Sequence, residues 1–163
     1  MTDGEAMHIG TLTWDLEALA RELHLTVDET LEYFKDGRRG SFVVERRIAR
    51  EIIGGKISES EGSAFDVYDS EGNKWEVRSL TRSGIYFCPS YMVGAGRKFD
   101  ESGFQAKLDE IKGYYVARIT TFPEVDVYKI DVEQVRKWHK NKELGPTTKI
   151  SKAKMEELLK TIA

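Results

Sequence analysis

The spacing of apolar side chains predicts a chain of alternating helices and strands. Helical spacing over residues 14–36 indicates two short helices, the second with Thr26 as its N-cap. A longer helix is expected over residues 41–55, with Ser41 as N-cap and Gly54 as its stop. The later predicted elements are strands at 64–69, 74–80 and 85–88, a helix at 104–113, strands at 114–120 and 126–130, and helices at 131–140 and 151–163.

This order of elements predicts an α/β fold with a central mixed sheet flanked by helices. The 163 residues suit one domain with a small appendage. We assign residues 1–38 to an N-terminal helical segment that serves packing or dimerisation, and residues 39–163 to the core. Residues 36–40 are expected to form a flexible basic connector, and Asp131 and Ser151 to cap the closing helices.

Composition says more about the cellular compartment of the protein than about the chemistry that it performs. The net charge of −3 does not mark the whole chain as a nucleic-acid binder, although a basic face is compatible with it. The single cysteine, Cys88, excludes a disulfide within the chain and is expected to be a small buried apolar residue. Neither an apolar run long enough to span a bilayer nor a signal-peptide pattern is found, so we expect a cytoplasmic protein.

The two N-terminal helices resemble a helix-turn-helix, but their charges argue against DNA recognition. The second helix carries Asp28, Glu29, Glu32 and Asp36 against the single Lys35. Phosphates lining a groove would repel such a helix. A packing or dimerisation hairpin is therefore the better interpretation.

Acidic residues in the predicted hairpin at 64–80 raise the question of a metal site. If the strands pair across a turn at Gly72-Asn73, Asp66 and Glu76 lie near each other. Two carboxylates and the carbonyl of Val77 would suit Mg²⁺, which prefers oxygen ligands. Arg78 would then stabilise charge in the transition state. The alternative is an ordinary hairpin whose charges face solvent.

A further carboxylate lies in the preceding helix. Val44, Ile48, Ala49 and Ile52 define an apolar face, and Glu45 falls near its middle. An inward carboxylate is costly unless it is paired or binds a metal. Glu45 is therefore either part of a buried ion pair or a third acidic residue aimed at the sheet.

Taken together, these motifs resemble the PD-(D/E)xK nuclease superfamily. The matching positions are Glu45 on the helix, Gly62-Ser63 before the strand residue Asp66, and Glu76-x-Arg78-Ser79 on the next strand. The order of helices and strands over residues 40–130 is similar to that core as well.

The resemblance implies a restriction-endonuclease-like fold and a Mg²⁺-dependent DNA endonuclease, with Mn²⁺ able to substitute. Glu45, Asp66, Glu76 and the Val77 carbonyl would hold the metal ion. Arg78 would take the place of the usual lysine, although an arginine stays protonated and cannot act as a base. Lys74, on the same face of its strand as Glu76, is a second candidate for that role.

The DNA contacts are expected in the loop that follows the hairpin. It combines polar, aromatic and basic residues suited to phosphates and base edges, namely Arg82, Ser83, Tyr86, Ser90, Tyr91, Arg97 and Lys98. A second basic cluster, which would contact phosphates or form a solvated face, consists of Arg38, Arg39, Arg46, Arg47 and Arg50.

The size and N-terminal helices are similar to those of small type II restriction endonucleases. That resemblance implies duplex DNA cut at a specific sequence, a homodimer, and a possible cognate DNA methyltransferase. Two alternatives stay open. The first is a Holliday-junction resolvase or repair nuclease of the same fold, and the second is a non-catalytic DNA-binding module with a degenerate site.

Overall fold

The strands form a main mixed sheet and a small second one. The computed structural model describes residues 4–59 and 65–162. Within these residues the strands are β1 (Ala6–Thr13), β2 (Lys56–Ile57), β3 (Val67–Tyr68), β4 (Lys74–Leu80), β5 (Ile85–Tyr86), β6 (Gly113–Arg118), β7 (Glu124–Asp131) and β8 (Lys149–Ile150). The main sheet has the order β1-β7-β6-β4-β3-β2, and β5 pairs with β8. β4 and β6 run parallel, whereas their outer neighbours pair antiparallel.

Helices cover both faces of the main sheet. They are α1 (Leu16–Leu23), α2 (Val27–Lys35), α3 (Gly37–Arg47), α4 (Glu101–Glu110), α5 (Val132–Lys140) and α6 (Lys152–Lys160). A π-helical turn over Ile48–Ile52 continues α3. The cores contain residues of α2 and α3 on one side of the sheet and of α4, α5 and α6 on the other. The predicted α/β class with a central mixed sheet between helices is confirmed.

Side-chain alternation along β4 directs its residues to the two cores. Trp75 and Val77 pack in the core beneath α3, while Leu80 packs in the core beneath α4. Glu76 and Arg78 share the α4 side with Leu80, because alternate residues of a strand face the same way. β4 therefore carries its charged pair into the half of the molecule that α4 covers.

The helix caps follow the sequence signals in three places and depart from them in one. Thr26, Asp131 and Ser151 cap α2, α5 and α6, as predicted. Ser41 as an N-cap is wrong, because Asp36 caps α3 by accepting a hydrogen bond from the Arg38 amide at 2.9 Å. The residues predicted as a flexible connector thus form the first turn of α3.

Several other boundaries differ from the prediction, and the strand predicted at 64–69 is only Val67–Tyr68 within the described residues. The strand predicted at 85–88 is only Ile85–Tyr86 and lies in the small sheet, because β8 supplies its partner. The helix predicted at 104–113 begins at Glu101, after the N-cap Asp100. Gly113 begins β6 instead of ending that helix.

The N-terminal segment contributes a strand that the sequence pattern did not reveal. β1 pairs antiparallel with β7, and the register shifts between His8 and Gly10. This irregularity interrupts the alternation of apolar and polar residues on which strand prediction depends. The proposed division between residues 38 and 39 falls inside α3. Among the described residues, no helix is long and apolar enough to cross a membrane.

Gly113 allows β6 to lie close to β7, and replacing it with alanine should destabilise the fold. A Cβ atom there would lie 2.3 Å from the Ile130 carbonyl oxygen and 2.7 Å from the Trp75 ring. Overpacking of this kind costs about 1–3 kcal/mol, so Gly113→Ala should lower the melting temperature by about 3–10 °C. Thermal unfolding followed by circular dichroism measures this.

Gly103→Ala in α4 is the matched control. The Cβ atom would meet the side-chain ends of Met92, Asp100 and Tyr91. These ends can move, and alanine favours a helix over glycine. We expect Gly103→Ala to change the melting temperature less than Gly113→Ala, and the reverse order would contradict this account of the sheet.

Candidate active site

The candidate site lies where β3 separates from β4. β3 pairs with β4 only through Val67 and Tyr68, and Asp66 precedes this short ladder. The Asp66 amide donates to the Trp75 carbonyl at 3.0 Å, and its carboxylate accepts from the Val77 amide at 2.8 Å. The N–H and C=O groups of one strand residue point to the same edge, so the Val77 carbonyl faces the Asp66 side of β4. Asp66 and Val77, two of the predicted metal ligands, are therefore in direct contact.

Glu45 approaches the same region from α3. It lies between the buried residues Val44 and Ile48 and is itself partly buried. Burial raises the pKa of its carboxyl group from 4.5 to about 7, and repulsion from Asp66 and Glu76 adds to the rise. Because Asp66 and Glu76 both shift the pKa of Glu45, the three carboxyl groups form one electrostatic group.

Glu76 is the most deeply buried of the three acids, with 7% of its surface exposed. Its Oε1 atom lies 2.9 Å from Arg78 Nη1, and its Oε2 atom lies 3.1 Å from Lys107 Nζ. Oε2 has no well-directed hydrogen bond despite this distance. The ion pair with Lys107 still holds Oε2, because the attraction between opposite charges depends less on angle than a hydrogen bond does. Glu76 is thus held between two cations.

Arg78 is fixed by contacts on every side of its guanidinium. Nε donates to the Tyr86 carbonyl and Nη2 to the Cys88 carbonyl, each at 3.2 Å. The rings of Tyr86 and Tyr114 lie 4.9 and 5.8 Å from its central carbon. With Nη1 on Glu76, the side chain connects β4 to β5 and the loop behind it. Cys88 is buried in the core, as the sequence indicates.

The chemistry of the donor set fits a hard divalent cation. Carboxylates and a backbone carbonyl are the ligands that Mg²⁺ uses. Burial, and then repulsion from Glu76, also raises the pKa of Asp66. A cation beside Glu45 and Asp66 would offset the repulsion among the three carboxylates. Within residues 4–59 and 65–162, no group of three or more acidic, His or Cys side chains is already arranged to hold a metal ion. Glu76 instead has Arg78 and Lys107 as its partners.

Lys107 is the site residue that sequence reasoning missed. It lies on α4 between the buried residues Phe104 and Leu108, and its side chain is only 11% exposed. A charged side chain beside an apolar helix face is the same kind of signal that marks Glu45, but the helix alone does not show that its partner lies on β4. Lys74, the predicted second cation, instead lies exposed with its ammonium 5.3 Å from the Phe65 ring centre.

The predicted DNA-contacting residues are only partly brought together. Tyr86 lies in the site, on Arg78. Arg97 folds back and donates to the carbonyls of Ser90 and Val93. Six of the predicted residues are exposed, namely Arg82, Ser83, Ser90, Tyr91, Arg97 and Lys98. Their exposure leaves them available to a ligand but does not identify one.

Comparisons with protein-family models, with curated proteins and with solved structures find no match for this chain. The interpretation of the site therefore depends on its own residues. The matching pair Gly62-Ser63 lies outside the described residues. Glu45, Asp66, Glu76 and Arg78 carry the remaining resemblance.

The raised pKa of Glu45 predicts that this carboxyl group destabilises the fold at neutral and alkaline pH. Because the folded form binds the proton more tightly, stability is lost as the pH rises from 4.5 to about 7. Glu45→Gln mimics the protonated form and should melt at a higher temperature than the parent at pH 8. The difference should disappear below about pH 4.5. A glutamine variant that is equally or less stable at pH 8 would contradict the electrostatic account.

Proposed function

We propose that this chain is a Mg²⁺-dependent DNA endonuclease with the α/β core of the PD-(D/E)xK nucleases. The observation that carries the proposal is the grouping of Glu45, Asp66 and Glu76 at the fork between β3 and β4. These acids come from α3, from the residue that precedes β3 and from β4, and burial followed by their mutual repulsion raises the pKa values of Glu45 and Asp66. Acids held in this way favour a functional site over a solvent-facing hairpin.

The proposed metal ligands are Asp66, Glu45, the Val77 carbonyl and Glu76, which would exchange one of its ion pairs with Arg78 and Lys107 for the metal. Bound Mg²⁺ would offset the negative charge that develops on the scissile phosphate, and Mn²⁺ is expected to substitute. The Val77 amide holds the Asp66 carboxylate in place at 2.8 Å. The partial burial of Glu45 and Asp66 limits solvent access and so strengthens the charge interactions of a bound phosphate.

The contacts of Arg78 and Lys107 support different roles for the two cations. Arg78 is held by two carbonyls and Glu76, so we propose that it positions Glu76. Lys107 reaches Glu76 from α4 on a flexible stem with three rotatable donors. We propose that Lys107, more than Arg78, contributes the charge that the family's lysine supplies.

The finer assignment is a type II restriction enzyme, acting as a cytoplasmic homodimer on duplex DNA. The exposed apolar residues of α1 and α2, which are Leu23, Val27 and Tyr33, support these helices as a dimer interface. A cognate methyltransferase would accompany such an enzyme. A structure-selective nuclease is the second candidate, and Phe42, an exposed aromatic residue on α3, favours it.

Cleavage of unmodified phage DNA and of a four-way junction tests the proposal directly. The parent protein should cut DNA with Mg²⁺ or Mn²⁺ and not with EDTA. Asp66→Ala should lower the rate at least about 100-fold, because an essential ligand is lost. Sequencing the ends distinguishes specific duplex cleavage from junction cleavage.

The matched control for this assay is Glu71→Gln. Glu71 is an exposed acid in the turn of the same hairpin and should be dispensable. If the parent binds DNA but no divalent metal supports cleavage, the protein is a non-catalytic binding module and not a nuclease. If Asp66→Ala is as active as the parent, the catalytic site does not include Asp66 and lies elsewhere.

A further inference from the structure

An exposed stripe of two arginines and a phenylalanine runs along α3. Arg38, Phe42 and Arg46 are spaced four residues apart and therefore share a helix face, which we call the α3 stripe. The Arg38 side chain is 93% exposed, and Phe42 is 63% exposed. The guanidinium of Arg46 lies 3.3 Å from the centre of the Phe42 ring. A large aromatic residue is thus held at the surface beside cations.

The C-terminal end of the α3 stripe adjoins the carboxylate group. Arg46 directly follows Glu45 in the helix, and its positive charge lowers the pKa of that acid against the larger effect of burial. Phe42 lies one helical turn before Glu45. A chain lying along the stripe would therefore reach the fork between β3 and β4.

The N-terminal end of the α3 stripe adjoins another basic turn. Gly37 packs against Ser79 and Thr81, whose side-chain atoms lie 3.0 and 2.8 Å from the position that a Cβ atom would occupy. Thr81 begins the tight turn that carries the exposed residue Arg82. The stripe thus connects a predicted DNA contact to the candidate site.

Charge favours a polyanion as the occupant of this face. The whole chain has a net charge of −3, yet Arg38, Arg39, Arg46 and Arg50 concentrate positive charge on one helix. Arg38 and Arg39 share Asp36 as an acidic neighbour, at 3.6 and 3.8 Å. These distances describe weak surface pairs that phosphates can replace.

We propose that the α3 stripe binds a single-stranded segment of nucleic acid next to the cleavage site. Arg38 and Arg46 contact phosphates, and Phe42 stacks on an unpaired base. Stacking on an exposed ring accepts any base, whereas an intact duplex offers no free base face to a helix surface. The inference rests on the proposed function for its location, and it specifies the substrate as DNA with unpaired nucleotides.

The test measures binding without cleavage. The full chain is titrated in EDTA against a fluorescein-labelled single-stranded oligonucleotide and against its blunt duplex, with fluorescence anisotropy as the readout. Phe42→Ala should weaken single-strand binding by about 5- to 100-fold and duplex binding much less. Phe42→Trp should restore it. Glu71→Gln, a change at an exposed acid in the hairpin turn, should bind like the parent.

Salt dependence tests the two arginines separately. Arg38→Ala and Arg46→Ala should each reduce the slope of log affinity against log salt by about 0.7, the value for one phosphate contact on a single strand. Circular dichroism checks that each variant is folded. Unchanged slopes would contradict phosphate contacts by the stripe.

Two further outcomes overturn the inference. One is single-strand binding by Phe42→Ala equal to that of the parent. The other is a parent dimer that Phe42→Ala converts to a monomer in light scattering, which would make the stripe an interface between copies. A failure of the nuclease proposal gives a different result. If single-strand binding depends on Phe42 but no metal supports cleavage, the nuclease proposal is wrong and the α3 stripe proposal stands.

Discussion

The buried triad of Glu76, Arg78 and Lys107 is the interaction on which the candidate site depends. Moving three charges out of water is costly, and their attraction compensates only when the geometry is good. Arg78 meets this condition by adding two carbonyl contacts, which connect β4 to β5 and its following loop. Lys107 extends the triad to α4. A single carboxylate on β4 thereby links the sheet to the elements on one of its faces.

The remaining acids approach the same strand from its β3 edge and from α3. Asp66 is held by the Val77 amide at the edge where β3 leaves β4, and Glu45 approaches from α3. Burial and mutual repulsion raise the pKa values of both acids more than the charges of Arg46, Arg78 and Lys107 lower them. Carboxyl groups held in this way lower stability at neutral pH, and such costs concentrate at functional sites. A divalent cation and a phosphate are the partners that would balance such a site.

The sequence predicted the parts of the site that depend on local periodicity. Glu45 interrupts an apolar helix face, and Asp66 and Glu76 flank a hairpin turn. Both patterns can be recognised in short stretches of sequence. Lys107 was missed because its partner is distant in sequence and only the packing of α4 on the sheet brings them together. The start of α3 was missed because Gly37 and Gly40 suggested a loop. Gly40 instead allows close contact with α2, where its Cβ position lies 3.2 Å from the Phe34 carbonyl.

Metal binding by the intact protein is the sharpest test of the proposed metal site, because it does not require the DNA substrate to be known. Titration of Mn²⁺ followed by electron paramagnetic resonance gives the bound fraction for the parent, Asp66→Ala and Glu71→Gln. The parent and Glu71→Gln should bind Mn²⁺ alike, and Asp66→Ala should bind it at least about 10-fold more weakly. Equal binding by all three proteins, or no binding by the parent, would contradict the assignment of Asp66 and its neighbours as a metal site.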